Sequence, residues 1–351
     1  MKTIYRGGTI LIVLALLVAL SSVASAQVEA TGKLKEVLDR GKLLCGVNGT
    51  VPGFSFLNPD TGEMAGFDAD FCKALAAAIF GEATAENVEY VPLTAAERFT
   101  ALQAGQIDVL IRNTTYTFSR DTDLKAEFGP VTFYDSQELM VRNDLGVTTI
   151  DDLDGASICT LTGTTTELNI TDQMTSRGFA FELIPLETSA DTMSAFEAGR
   201  CDAPTSDKSQ LAGLRSASNA PSQYTILNDV LSKEPLTPAW LEGDAQWGNV
   251  VRWVVYATMQ AEEYGITQAN VAELAANPPK PEIARFVGSE AEGSLGSFIG
   301  LSPDFAVNVI KAVGNYGEIY DRHITPIGIV REGTLNAQWR DGGLIFAPAW
   351  R

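Results

Sequence analysis

The feature that constrains this chain most is a passage that occurs twice. ERFTALQAGQIDVL (residues 97–110) and DTMSAFEAGRCDAP (residues 191–204) share one layout. A helical run reaches an Ala-Gly stop, a polar or basic residue follows, and an Asp-headed strand comes next. Glycine just past a helix accepts the left-handed backbone that ends it, so the stop has a physical cause. The same alternation surrounds both copies. The first series predicts strands at 43–47, 88–92 and 108–111, with helices at 68–80 and 95–104 between them. In the first helix Phe71, Leu75, Ala78 and Ile79 fall on one face. The second series predicts strands at 157–161, 181–185 and 202–205, and helices at 166–176, 189–198 and 208–215. Strands alternating with helices give mostly parallel sheets covered by helices. Two matched series therefore predict two similar α/β lobes; one open sheet with a chance likeness between its halves is the alternative.

The ends of the chain read differently. Lys2 and Arg6 precede an apolar run at 10–20, and Ala24-Ser25-Ala26 forms a small-x-small site. That order predicts a signal peptide over residues 1–26 and export. The apolar run is short for a bilayer span of about 20 residues, so no direct membrane insertion is expected after processing. Past the second series, residues 248–263 predict a long helix with Val251, Trp253, Val254, Val255 and Met259 on its apolar side, and 303–313 another. All five tryptophans (240, 247, 253, 339 and 350) lie in this last third. They are expected to pack a helical C-terminal extension, with ligand stacking as the alternative for one of them.

Export makes disulfides permissible. By their placement, Cys45 pairs with Cys72 and Cys159 with Cys201, each closing a loop worth about 3–4 kcal/mol. Four buried thiols are the alternative; no cysteine pair has zinc-knuckle spacing. With 25 Lys+Arg against 44 Asp+Glu the net charge is -19, and loss of the leader makes it more negative by two. Nucleic acid and anionic membranes are thereby excluded as main partners. His323, the one histidine, leaves no room for a His-based zinc site. No metal and no cofactor are expected.

No nucleophile elbow, P-loop or dinucleotide fingerprint is present. The candidates are polar residues at strand ends, where open α/β sheets bind ligands. Residues 112–120 (RNTTYTFSR) follow the third strand, and Asn113, Thr115 and Arg120 can clamp a carboxylate or form a solvated loop. Thr164 and Thr165, in TGTTT (162–166), open a helix and suit an anion or an ordinary N-cap. Asp207 closes a strand and can face an ammonium group or cap a helix. Asn48 and Phe54 lie on the turn-rich loop 48–56, where Phe54 covers an apolar ligand face or belongs to a loop core.

Together these stretches resemble the periplasmic amino-acid-binding proteins of ABC importers. GFSF…GEMAGFDADFCKALA, ALQAGQIDVLIRNTTYTFSRD, TGTTTE and RCDAPTSD stand in the family's order. GNYGEIYDR and GGLIFAP near the end look like the general L-amino-acid-binding branch. The resemblance covers residues 33–351. It implies a type II periplasmic binding fold: two Rossmann-like lobes joined by two crossover strands, here near 134–141 and 232–236. The first lobe would span 27–138 and resume at 235–351 with the extension; the second would span 139–234. It also implies that Arg120 and Thr115 hold the α-carboxylate beside Asn113, that Thr164 and Thr165 donate to it from the second lobe, and that Asp207 accepts from the α-ammonium. Asn48 stands where binders of basic amino acids carry an acid, and Val51 replaces an aromatic of some relatives.

The function expected is capture of L-amino acids, with broad specificity, by a monomer that delivers them to ABC permease subunits. The alternatives are an enzyme on the same scaffold (a dehydratase or lyase using Glu97 or Asp207) and a sensor that presents its ligand to a receptor.

Overall fold

The computed structural model describes residues 28–289 and 295–351; the expected leader lies outside the described residues. The first lobe opens with α1 (Gly32–Arg40), β1 (Leu43–Val47), β2 (Thr50–Val51), β3 (Ser55–Leu57), β4 (Met64–Ala65) and α2 (Phe67–Phe80). It continues with β5 (Val88–Pro92), α3 (Arg98–Gln103), β6 (Val109–Leu110), α4 (Phe118–Thr122) and β7 (Ala126–Phe128). The long strand β8 (Phe133–Arg142) leads to β9 (Ser157–Leu161), α5 (Thr165–Arg177), β10 (Glu182–Leu186), α6 (Ser189–Glu197), β11 (Ala203–Asp207), α7 (Lys208–Ala217) and β12 (Tyr224–Ile226). β13 (Ser232–Leu236) returns to the first lobe, where β14 (Ala239–Leu241) and α8 (Ala245–Glu263) follow. The extension adds α9 (Val271–Ala276), α10 (Pro281–Phe286), α11 (Phe305–Val313) and α12 (Tyr316–His323).

The duplicated passage becomes duplicated topology. One sheet runs β5-β1-β6-β14-β7 and the other β10-β9-β11-β8-β12, with β5-β1-β6 and β10-β9-β11 parallel in both. Gly105 and Gly199 end α3 and α6 with φ of 67° and 70°. Three residues later an aspartate reaches back to the neighbouring strand. Asp108 Oδ2 accepts from Leu44 N at 2.8 Å, and Asp202 Oδ2 from Ser157 N at 2.9 Å. The single-sheet alternative is thereby set aside.

β8 and β13 are the crossovers. They pair antiparallel over five positions, from Leu236 opposite Phe133 to Ser232 opposite Gln137, and form a two-stranded ribbon between the sheets. Beyond the ribbon, β8 alternates its side chains between two cores of the second lobe. Leu139 and Val141 join Ile158, Ile170 and Met174 on one face, while Met140 joins Phe196 and Leu211 on the other. That is the period of a strand covered on both sides. Two expected elements are shorter than read: α3 starts at Arg98, because Glu97 turns back onto Thr94 N and Oγ1, and β6 keeps two residues.

The extension belongs to the first lobe's core. α8, α11 and α12 pack on α2, and Phe67 meets Tyr316 and Tyr320 edge-on. Asp70 of α2 accepts from Arg322 Nη1 at 2.6 Å and lies 2.7 Å from His323 Nε2. Asn336 grips the start of β8, accepting from Tyr134 N at 2.7 Å and donating to Tyr134 O at 2.9 Å. Trp240, Trp247 and Trp350 are buried as expected and Trp253 packs on Trp350, but Trp339 is 48% exposed against Phe346. The disulfides Cys45–Cys72 and Cys159–Cys201 place one staple in each lobe, from β1 to α2 and from β9 to the entry of β11. No helix among the described residues is long and apolar enough to cross a membrane.

Candidate functional site

The strand ends of the two sheets meet across a cleft. Between them lies a cavity of about 20 Å³, room for little more than a water molecule. A solute the size of an amino acid enters only when the lobes part. The lobes touch around this cavity. An ideal Cβ on Gly163 of the second lobe would sit 3.1 Å from Ala96 Cα, and one on Gly213 of α7 would sit 2.3 Å from Pro52 O.

The first lobe contributes the loop after β6. Asn113 has φ of 32°, a left-handed conformation that asparagine tolerates better than most residues. The turn is held by Asp68, whose Oδ2 accepts from Asn113 N at 2.7 Å. It aims Asn113 across the cleft, where Nδ2 donates to Asp207 Oδ2 and to Gln210 Oε1, both at 3.1 Å. Asn48 Nδ2 approaches Asn113 Oδ1 at 3.5 Å from behind. Burial pushes the Asp68 carboxyl up to about 7, against the Asn113 amide and the Arg112 charge.

Three guanidinium groups lie on this side. Arg112 lines the cavity while its Nε donates to Leu93 O at 2.8 Å, and burial draws it down to about 10. Arg98, on α3, also lines the cavity and is 3% exposed. Its Nη1 lies 3.5 Å from Thr114 Oγ1 and its Nε has no hydrogen-bond partner. Burial, then the Arg120 and Arg112 charges, hold it well below the usual arginine range. Arg120 is buried but does not line the cavity; its Nη1 donates to Thr115 O at 2.8 Å and its guanidinium lies over Phe99.

From the second lobe come Thr164, Thr165, Ser206, Asp207 and Gln210. Thr164 is the N-cap of α5, accepting from Glu167 N, and its hydroxyl donates to Leu161 O at 2.6 Å. Thr165 points to the crossover instead. Its Oγ1 donates to Glu234 Oε2 at 3.1 Å, and Thr115 Oγ1 donates to the same oxygen at 2.6 Å. Burial, then the nearby Asp135 and Glu234 carboxylates, raise Asp207 well above the usual carboxylate range. Burial also pushes Asp135 up to about 7.

Most of the residues singled out in the sequence therefore converge on one cleft. Asn113, Thr115, Thr164, Thr165 and Asp207 line the cavity, with Asn48 and Arg120 in the layer behind. Phe54 does not reach it: at 1% exposure it packs edge-on against Phe67 and Phe133 in the first-lobe core, so the loop-core alternative holds. Glu97 turns away to cap Thr94. Arg98, Gln210 and Glu234 were missed. The signal for Arg98 was an arginine inside an apolar helix, beside Phe99, Ala101 and Leu102.

Comparison with known proteins gives concordant results. The model of the bacterial extracellular solute-binding proteins, family 3, matches residues 43–269. The general L-amino acid-binding periplasmic protein AapJ of Rhizobium johnstonii is 48% identical over 337 residues, 95% of this chain and 96% of that protein. The glutamate/glutamine/aspartate/asparagine-binding protein BztA of Rhodobacter capsulatus is 46% identical over 338 residues, 95% of this chain and 97% of that protein. Among solved structures, an ABC transporter/periplasmic binding protein from Brucella ovis with glutathione bound superposes with a TM-score of 0.87 at 45% identity, covering 92% of this chain and 100% of that one.

Proposed function

The chain belongs to the bacterial extracellular solute-binding proteins, family 3, and we propose that its cleft takes an L-amino acid by both charged ends of the zwitterion. It is an amino-acid-binding protein of an ABC importer and not an enzyme; the relatives it matches along nearly its whole length are amino-acid-binding proteins. The observation that carries the finer reading is the polarity of the cavity. Arginines line it from the first lobe, and Asp207 faces them from the second. A zwitterion set across that gap leaves neither of its charges unpaired in a buried site, where an unpaired charge is costly. Thr115, Thr164, Thr165 and Asn113 supply the neighbouring donors, Arg120 and Asn48 support them from behind, and Asp207 receives the ammonium.

Arg98 extends the reading to the side chain. Its unpartnered Nε favours ligands with a second acceptor, a carboxylate or carboxamide. Glutamate, glutamine, aspartate and asparagine, which the Rhodobacter capsulatus protein binds, all carry one. We assign the export step to the leader at 1–26, the two lobes to 27–138 with 235–351 and to 139–234, and the working form to a monomer that docks on the permease when closed. Ligand favours closure by its differential affinity for the closed state.

Calorimetric titration of ligand-stripped protein with the common L-amino acids tests this. Micromolar or tighter binding is expected, about −8 kcal/mol or better. Arg98→Met should weaken L-glutamate and L-aspartate by about tenfold to a hundredfold and L-alanine far less. No binding of any L-amino acid refutes the reading, and equal losses for all ligands refute the role of Arg98.

A further inference from the structure

Glu234 makes demands on the cleft that the ligand reading does not use. It sits on β13, 1% exposed, in the ribbon that joins the lobes. Its two carboxylate oxygens have different partners. Oε1 is held by its own surroundings: Asn169 Nδ2 of α5 donates to it at 3.1 Å and Ser232 Oγ donates as well. Oε2 receives one hydroxyl from each lobe, Thr115 of the first and Thr165 of the second. The Glu234 charge in turn reaches Arg120 and Arg98 and favours their charged forms.

A threonine hydroxyl has one proton to donate. In this arrangement both protons point at Glu234, and they belong to the two residues assigned to the ligand's carboxylate from opposite lobes. A ligand carboxylate gains those donors only by taking them from Glu234. We infer that Glu234 is a resident carboxylate that draws the lobes together from within and competes with the ligand's carboxylate for Thr115 and Thr165. It is thereby an affinity-setting residue for the site. This inference rests on the amino-acid reading for its competition arm, and on geometry alone for its closure arm. On ligand entry Oε1 keeps Asn169 and Ser232, Oε2 gives up the two hydroxyls, and no covalent step is involved. The Arg120 charge, coupled to Glu234, offsets the repulsion between the two carboxylates.

Two variants and two measurements test it. Glu234→Gln is isosteric; Asn169 and Ser232 favour placing its carbonyl oxygen at the Oε1 position, which turns an NH2 group toward the hydroxyls. Glu234→Asp keeps the charge but withdraws it by one methylene. Calorimetry of ligand-stripped protein with L-glutamine should show about tenfold tighter binding in both variants. Small-angle scattering of the same ligand-free preparations should show a larger radius of gyration than in the native protein. Affinity that is unchanged within twofold, or weaker, overturns the competition; weakening is the result expected if Glu234 bound the ligand's ammonium. Equal radii of gyration overturn the closure. Should the native protein bind no amino acid at all, the reading of the cleft fails while scattering still decides the closure. Circular dichroism confirms that each variant is folded, and Glu234→Asp replaces Glu234→Gln if the latter is not.

Discussion

Gly213 offers a clean perturbation of closure. It lies inside α7 with ordinary helical backbone, so alanine is locally welcome there and gains about 0.8–1.0 kcal/mol of helix propensity over glycine. The added methyl has nowhere to go, because its ideal position is 2.3 Å from Pro52 O across the cleft. A close carbon–oxygen contact is roughly 3.3 Å, so the surfaces must separate by about 1 Å. Pro52 cannot retreat. The turn around it is held by Phe67 N donating to Gly53 O at 2.9 Å and by Phe54 N donating to Val51 O at 3.2 Å. Behind it, Ile327 Cδ1 fills the space beside Gly53, 2.8 Å from the position a Cβ would take. The relief is for the lobes to part. Overpacking of this kind costs about 1–3 kcal/mol, and here it falls on the closed form alone. With ligand binding by closure, as proposed above, Gly213→Ala should weaken amino-acid binding by about 5- to 150-fold. The thermal midpoint of ligand-free protein should stay level or rise. Calorimetric titration and differential scanning calorimetry on one preparation read both quantities. Affinity within twofold of the native protein, with the helix intact, refutes the claim that this contact belongs to the binding-competent state.

Two neighbouring carboxylates of α2 should respond to pH with opposite sign. Asp68, raised to about 7, binds protons more readily folded than unfolded, so its stabilisation is complete below pH about 4 and is lost as pH rises toward 7. Asp70, depressed by its bond to His323 and the charges of His323, Lys73 and Arg322 despite a larger opposing effect of burial, contributes stability above its unfolded value that is lost as pH falls. Urea unfolding should therefore show Asp68→Asn least harmful at pH 8, and Asp70→Asn most harmful there; parallel profiles would count against the assignment. Reduction of the two disulfides should lower the thermal midpoint, since each closes a loop worth about 3–4 kcal/mol, and an unchanged midpoint under dithiothreitol contradicts a structural role. Asn336→Ala removes two bonds to the crossover strand and should cost about 1–3 kcal/mol in denaturant unfolding, and a loss under 0.5 kcal/mol would show that the grip on Tyr134 is idle.

Much of the architecture was legible because its cause is local and repeated. An Ala-Gly stop followed three residues after the glycine by aspartate recurs at 104–108 and 198–202, and in both copies the glycine ends the helix and the aspartate bonds the adjoining strand. Cysteine placement, with the export expected from the leader, pointed to both disulfides. Side-chain direction was not legible. Phe54 on a turn-rich loop reads equally as a ligand cover or a core residue, and only the packing of Phe67 and Phe133 decides. Thr115 and Thr165 were recognised as donors, but their acceptor lies far along the chain on β13, and a glutamate before a proline in a crossover strand carries no local mark. Arg98 did carry a local mark, an arginine in an apolar helix, but what it faces is set by the second lobe, which is remote in sequence.

The ribbon of β8 and β13 has a mechanical consequence. Five successive strand pairs hinder sliding of one crossover past the other but permit bending and twisting. The lobes then turn about a spine, and displacement grows with distance from it. Thr115 and Thr165, which meet at Glu234 on the spine itself, have the shortest lever arm, while contacts farther out sweep wider arcs. A small parting at the axis, enough to break two hydrogen bonds there, therefore becomes a large change of outline at the outer rim.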